Sequence, residues 1–193
     1  GVTDDCSDWS LLIRSGPAVP AFDLHDSATP AGARYRPGFD KAGSGGSPHV
    51  RTEWTIDGAN LSIEYGRPSL KGRTPGKDID PYEGREWRTG ADQATTLKTD
   101  KMLMIGSLQV PAGTYTIYTI PTGGTWQLIL SKKTGQWGIP YPKGEDLGRA
   151  PMTLGKAPAA AEQLTFSIED SPKGATLHID WGTTRASIPF TVG

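Results

Sequence analysis

Residues 177–192 read LHIDWGTTRASIPFTV, and this stretch decides the fold class of the chain. Its apolar side chains fall on alternate positions, with polar or small residues between them. A period of two is typical of a β-strand that buries one face and exposes the other to water. A turn residue, Gly182, interrupts the alternation, which then resumes. The predicted inward positions are Leu177, Ile179, Trp181, Ile188, Phe190 and Val192.

The same period of two recurs in three other segments of the chain. The alternating apolar residues are Leu61, Ile63 and Tyr65, then Trp126, Leu128 and Leu130, then Leu164, Phe166 and Ile168. The chain has 25 glycines and 16 prolines, many of them in turn signals between these segments. Short strands joined by such turns predict an all-β fold, an antiparallel β-sandwich of jelly-roll-like type over residues 47–193. In this phasing Trp54, Trp126 and Trp181 belong to the core.

Residues 1–46 differ from the rest of the chain in composition. Glycine-rich and serine-rich stretches and four prolines interrupt this segment, which predicts an extended, mostly irregular N-terminal arm. Its clear apolar run is Leu11, Leu12 and Ile13. Because the arm has too few apolar residues to build a core of its own, we expect it to dock on the sandwich domain or on a neighbouring copy.

Composition excludes several classes of function. The chain has 20 Lys and Arg against 21 Asp and Glu, so it lacks the basic surface of a general nucleic-acid binder. It has no apolar run of the roughly 18 residues that a transmembrane helix needs. Cys6 is the only cysteine, so it forms no intrachain disulfide, and its role as a free thiol or a cross-link between chains stays open. With no initial Met and no signal peptide, the sequence is expected to be a mature or trimmed product.

Residues 65–93 interrupt the strand rhythm with a segment rich in charged residues, glycine and proline. Arginines of such a connection bind carboxylate, sulfate or phosphate groups bidentately, and aromatic faces stack on sugars. The candidate ligand-binding residues are Tyr65, Arg67, Arg73, Trp87 and Arg88. The alternative is that the arginines pair with Asp and Glu residues of the same segment and fix it to the sheet.

Several strings of the chain follow a known pattern. They are SPH (47–49), IDGANLSIEYGRPSLKGR (56–73), WRTGADQATTL (87–97), PAGTYTIYTIP (111–121), WQLILSKKTGQWG (126–138) and LHIDWGTTRASIPF (177–190). Over about residues 47–193 the chain resembles the bacterial family known as domain of unknown function 2911. The resemblance implies an exported β-sandwich protein, periplasmic, cell-surface or extracellular, and it implies no reaction, cofactor or ligand. Asp92 and Gln93 stand where many members have Asn-Glu, which puts a catalytic glutamate at this place in doubt.

The sequence has no recognised catalytic motif, which favours a non-enzymatic function. Its three histidines, His25, His49 and His178, lie far apart in sequence, so we expect no metal site and no cofactor, although calcium binding by loop acids stays open. A hydrolase would use His49 as general base, oriented by Asp92, with Tyr65 beside them. The alternative is that His49 caps the first strand through backbone hydrogen bonds.

Two further hypotheses come from different classes of function. The first is the one that the sequence favours: the protein is an exported, non-enzymatic structural protein whose arm adds Leu11, Leu12 and Ile13 as a strand to a neighbouring copy. Repetition of that contact would build an extracellular filament or ring. In the second, the segment 65–93 makes the domain a binding module for an anionic small molecule or a sugar.

Overall fold

The computed structural model describes residues 46–193 and, in the arm, the main chain of two short strands at residues 34–35 and 41–42. The strands of the described residues are β1 (Arg34–Tyr35), β2 (Lys41–Ala42), β3 (Pro48–Ile56), β4 (Ala59–Gly66), β5 (Ala91–Thr99), β6 (Leu103–Ile105), β7 (Leu108–Val110), β8 (Gly113–Thr122), β9 (Thr125–Ser131), β10 (Asp146–Ser171) and β11 (Gly174–Val192). This part of the chain contains no helix that is long and apolar enough to cross a membrane.

All strand pairs are antiparallel, and the strands follow one hydrogen-bonded path in the order β1-β3-β4-β5-β8-β9-β10-β11-β6-β7. Most neighbours are consecutive in sequence; short turns join several of them, whereas long connections join β4 to β5 and β9 to β10. The exception is the β6–β7 hairpin, which leaves the meander after β5 and pairs with the end of β11. The prediction of an all-β, antiparallel fold is confirmed.

The core contains the side chains that the period of two placed inside. Ile63, Leu130 and Ile179 are fully buried, whereas Val192 at the end of β11 is only partly covered. Tyr65 of β4 and Phe166 of β10 pack edge to face with their ring centres 4.7 Å apart. Since three strands separate β4 from β10 along the path, this contact requires the sheet to curl until β4 and β10 share one core.

Tryptophan side chains fill the centre of that core. Trp87 stacks on Trp181 at 6.4 Å and meets Trp126 edge to face at 6.1 Å. Trp54, Trp126 and Trp181 are 3%, 6% and 1% exposed, so the prediction that they belong to the core is confirmed.

The long strands β10 and β11 bend together near the middle of their hairpin. The pairing register shifts twice between Lys156 and Thr165, and opposite this region Gly182 has a φ of 61°. A straight strand would hold residues 178 and 187 about 30 Å apart. Their side chains are instead in hydrogen-bond contact, so β11 turns back on itself at Gly182.

Part of the arm covers the edge of its own sheet. The strand β1 pairs with residues 52–53 of β3, and β2 pairs with residues 48–49 of the same strand. The predicted assembly residues Leu11, Leu12 and Ile13 lie outside the described residues, as does Cys6.

Candidate functional site

The segments 56–73 and 87–97 meet where β4 ends and β5 begins. Gly66 pairs with Ala91, and a Cβ atom at position 66 would overlap the carbonyl oxygen of Ala91. A Cβ atom at Gly90 would lie 2.7 Å from Oγ1 of Thr95. Gly66 is therefore required by a close approach of the main chain, and Gly90 by the buried hydroxyl of Thr95 together with the carbonyl of Gly66.

Two residues with a left-handed backbone conformation flank this junction. Thr89 and Asp92 have φ values of 54° and 61°, a conformation that is uncommon for residues with a Cβ atom and costly for a β-branched one. Thr89 is fully buried, and its Oγ1 lies 3.0 Å from Oγ1 of Thr119 while its carbonyl accepts a hydrogen bond from Thr95 at 2.8 Å. These hydroxyl contacts hold the main chain in place at the start of β5.

A surface depression of about 330 Å³ lies beside the start of β5, where Ala91 lines it. Its described lining residues are Gly46, Ser47, Pro48, Pro68, Ser69, Lys71, Arg73, Ile79 and Ala91. Lys71 and Arg73 contribute positive charge, and no Asp or Glu is among these lining residues. The cationic depression, as defined by these nine residues, therefore favours a negatively charged ligand.

Main-chain carbonyls hold Arg73 in place. Its Nε donates to the carbonyl of Leu70 at 2.9 Å, and its Nη2 donates to the carbonyl of Ser69 at 2.8 Å. These two bonds use two of the five N–H donors of the guanidinium group. Lys71 begins a left-handed turn with Gly72, and its main-chain N–H donates to Oε1 of Glu162 at 2.8 Å.

The structure places Arg67 and Arg88 in other surroundings. Arg67 donates to the carbonyl of Leu164 and to Oγ1 of Thr165, so it ties the end of β4 to β10. Arg88 donates to the carbonyl of Trp137 at 3.0 Å and covers the ring of that residue at 5.0 Å. The alternative expectation paired these arginines with carboxylates, whereas the hydrogen bonds seen here go to carbonyls and a hydroxyl.

Electrostatic interactions link Arg88 to the acids around it. Partial burial lowers the pKa of the Arg88 guanidinium, and the negative charges of Asp92 and Asp80 act in the opposite direction. Burial raises the pKa of the Asp80 carboxyl, although the charges of Arg85 and Arg88 oppose that change. Burial thus outweighs the opposing charges at both Arg88 and Asp80.

The two aromatic candidates are core residues. Tyr65 is 2% exposed, and its hydroxyl accepts a hydrogen bond from the main-chain N–H of Phe166 at 3.4 Å. Trp87 is 5% exposed and is covered by Trp126 and Trp181. Neither ring presents a face on which a sugar could stack, so of the five candidates only Arg73 lines the cationic depression.

The catalytic candidates lie on three adjacent strands but have different partners. His49 on β3 pairs with Gly66 on β4, which in turn pairs with Ala91, the neighbour of Asp92. The His49 Nε2 atom lies 2.7 Å from Oε1 of Glu64, so a glutamate of β4 orients the imidazole. Through this bond the His49 side chain interacts with a carboxylate across the strand pair.

Sequence reasoning missed Glu64 and Lys71. The sequence did contain a signal for Glu64, because Asp57-Gly58 is a dipeptide typical of two-residue hairpin turns. In the structure both residues have the positive φ that such a turn requires. That turn pairs Ile56 with Ala59 and thereby sets the register that brings Glu64 near His49. Lys71 gave no comparable signal, since its position depends on the path of an irregular segment.

The described residues contain no group of three or more His, Cys, Asp or Glu side chains that could hold a metal ion. They define an all-β domain with a curled antiparallel sheet and a cationic depression beside the start of β3. The chain belongs to the family described as protein of unknown function (DUF2911), whose model matches residues 47–190. Neither the curated proteins nor the solved structures contain a match to this chain.

Proposed function

We propose that the domain is a binding module for a small anionic ligand, a carboxylate or an anionic sugar, in the cationic depression. The observation that carries this proposal is the described part of the lining, which includes two cationic residues and no acidic one. A volume of about 330 Å³ lies at the lower end of the range for small-molecule sites, roughly 300–1,000 Å³. The ligand is therefore about the size of one sugar acid.

The two cations have different roles in this binding. Arg73 is oriented by the carbonyls of Leu70 and Ser69, so less side-chain freedom is lost when it binds a carboxylate. Its planar guanidinium suits the paired oxygens of a carboxylate, whereas Lys71 adds a mobile point charge. Pro48, Pro68 and Ile79 provide apolar walls that fit the ring carbons of a sugar acid.

Calorimetry of the full chain with glucuronate tests the proposal, with neutral glucose as the comparison ligand. Arg73→Gln is expected to weaken glucuronate binding at least tenfold, because a charge-assisted hydrogen bond contributes about 1.5–3 kcal/mol. Lys77→Gln is the matched control, since Lys77 is exposed in the same segment but does not line the cationic depression. Equal losses in both variants, or equal binding of glucose, would contradict the proposal.

A second candidate function is self-assembly of an exported protein through the arm. It is favoured by one observation, the pairing of β1 and β2 with the edge of β3, because this chain already uses arm residues to extend a sheet. In this proposal Leu11, Leu12 and Ile13 add to the sheet of a neighbouring copy in the same manner.

Size-exclusion chromatography and negative-stain microscopy of the full chain test the assembly. Leu12→Pro removes a main-chain N–H from the proposed donor strand and is expected to abolish filaments or rings. Ala28→Pro is the control, because it introduces the same residue outside the apolar run. A monomeric wild-type chain would overturn the self-assembly proposal.

A further inference from the structure

The bend of β11 brings together a serine, a histidine and a glutamate. Oγ of Ser187 lies 2.7 Å from Nδ1 of His178, and Nε2 of His178 lies 3.2 Å from Oε2 of Glu169. Ser187 and His178 are nine residues apart on one strand, and they meet only because that strand turns back at Gly182. This cluster is separate from the cationic depression.

The two imidazole nitrogens have complementary partners. A carboxylate only accepts hydrogen bonds, so the contact with Glu169 places the proton of the neutral ring on Nε2. Nδ1 is then an acceptor for the hydroxyl proton of Ser187. The order of nucleophile, base and orienting carboxylate is that of serine hydrolases, which is recognised by geometry and not by sequence position.

Burial is graded along this series of residues. His178 is 9% exposed, Ser187 is half-buried, and the Glu169 side chain is 73% exposed. The base is thus held in the protein while the nucleophile reaches the surface. A satisfied buried histidine needs one partner on each nitrogen, and the partner here on Nδ1 is a hydroxyl that can act as a nucleophile.

A second ion pair holds the bend beside this cluster. Arg185 donates from Nε and Nη2 to the two carboxylate oxygens of Asp180, each at 2.7 Å. Asp180 and Arg185 lie on either side of Gly182, as His178 and Ser187 do. The bidentate pair therefore fixes the spacing of the two halves of β11, and with it the approach of Ser187 to His178.

We propose that Ser187 is a nucleophile toward short acyl esters, with His178 as its general base and Glu169 as the positioning residue. Oγ attacks the carbonyl carbon while its proton passes to Nδ1 of His178. The bond to the alcohol oxygen then breaks, and that oxygen leaves with the proton from His178. Water, deprotonated by His178, attacks the acyl-serine and releases the acid and the free hydroxyl.

The surroundings of Ser187 indicate the substrate class. The bend that carries Ser187 holds charged groups, since Glu169 contacts His178 and Arg185 pairs with Asp180. A short acyl group such as acetyl, on a polar alcohol, suits this surface. The proposal does not depend on binding at the cationic depression.

A fluorophosphonate reagent tests the nucleophile directly on the full chain, with mass mapping of the adduct. The Ser187 Oγ–P bond forms, the P–F bond breaks, fluoride leaves, and the proton passes to His178. One adduct on Ser187 is expected, absent in Ser187→Ala and present in Ser171→Ala, whose hydroxyl contacts the carbonyl of Gly174 and no histidine. The rate of p-nitrophenyl acetate hydrolysis is expected to fall in Ser187→Ala, together with the loss of the adduct.

The base and the positioning residue are tested by rates of labelling. His178→Gln is expected to slow the labelling at least 100-fold, within the range for loss of a general base. Glu169→Gln is expected to slow it about tenfold with an unchanged melting temperature, because this side chain is exposed, and Glu169→Asp restores part of the rate. No adduct on Ser187, or an adduct that forms equally fast in His178→Gln, would overturn the proposal.

Discussion

The connection 67–90 and the bend of the β10–β11 hairpin both bring distant residues together, but they do so by different means. The connection relies on the main chain, with glycines that permit close backbone contact and carbonyls that hold its arginines. The bend relies on side chains, the Asp180–Arg185 ion pair and the His178–Ser187 contact. We therefore expect the connection to keep its geometry when exposed side chains are substituted. The bend is expected to lose its geometry when one of its paired side chains is removed.

The two regions also touch. A Cβ atom at Gly182 would lie 3.4 Å from Cγ of Pro75 and 3.8 Å from Cδ1 of Leu70, both in the connection. The indole N–H of Trp181 donates to the carbonyl of Asp80 at 2.8 Å. The connection therefore packs over the bend, and substitutions in the two regions can be compared within one folding unit.

The largest effect is expected for Gly66→Ala, at the base of the connection. The new Cβ would overlap the carbonyl oxygen of Ala91, so the pairing of β4 with β5 must shift. We expect a loss of about 3 kcal/mol or more in the free energy of unfolding, measured by urea denaturation. Gly155→Ala in the hairpin is the control, because nothing lies within 4 Å of its Cβ position, and it is expected to change stability by less than about 0.5 kcal/mol. A mild Gly66→Ala variant would show that the junction is not close-packed.

The second effect contrasts two arginines. Arg185→Ala leaves the Asp180 side chain, which is 12% exposed, without its bidentate partner, and is expected to cost about 2 kcal/mol. Arg73→Ala removes bonds to carbonyls from an exposed side chain and is expected to cost less than about 0.5 kcal/mol. Thermal unfolding of both variants measures the difference. Equal losses would mean that the connection, like the bend, depends on its side chains.

The difference between the regions also explains how much the sequence predicts. Alternation identifies the face on which Ile63 or Ile179 lies, because a strand has a fixed period. Gly182 marks where the alternation is interrupted, but the alternation does not tell how far the strand turns back there, so it did not place His178 beside Ser187. The candidate arginines were identified by residue type, yet only Arg73 lines the cationic depression, since the path of an irregular connection depends on contacts with distant carbonyls such as that of Leu164.

The third effect compares two glycines with positive φ. Gly182 at the bend and Gly72 in the connection have φ values of 61° and 77°, so alanine costs about 1 kcal/mol at either position through backbone strain. The Gly182→Ala methyl group would also contact Pro75, whereas nothing lies within 4 Å of the Gly72 position. We expect Gly182→Ala, but not Gly72→Ala, to slow the labelling of Ser187. Slower labelling in Gly72→Ala alone would show that the bend does not set the Ser187–His178 distance.

The smallest effect concerns the pH dependence of stability at Asp80, in the connection that covers the bend. Burial raises the pKa of this carboxyl above its ordinary value of 3.8, so the folded state binds the proton more tightly than the unfolded chain. The stabilising contribution is therefore complete below pH 3.8 and is lost as the pH rises through the folded pKa. Asp80→Asn is expected to be slightly more stable than the wild type at pH 7, with the difference vanishing in acid. Urea unfolding from pH 7 down to below pH 3.8 measures the difference in stability between Asp80→Asn and the wild type. Asp170→Asn, a substitution of an exposed residue in the hairpin, is the control. A wild-type advantage at pH 7 would mean that Arg85 and Arg88 outweigh burial, and that ion pairs secure the connection as they secure the bend.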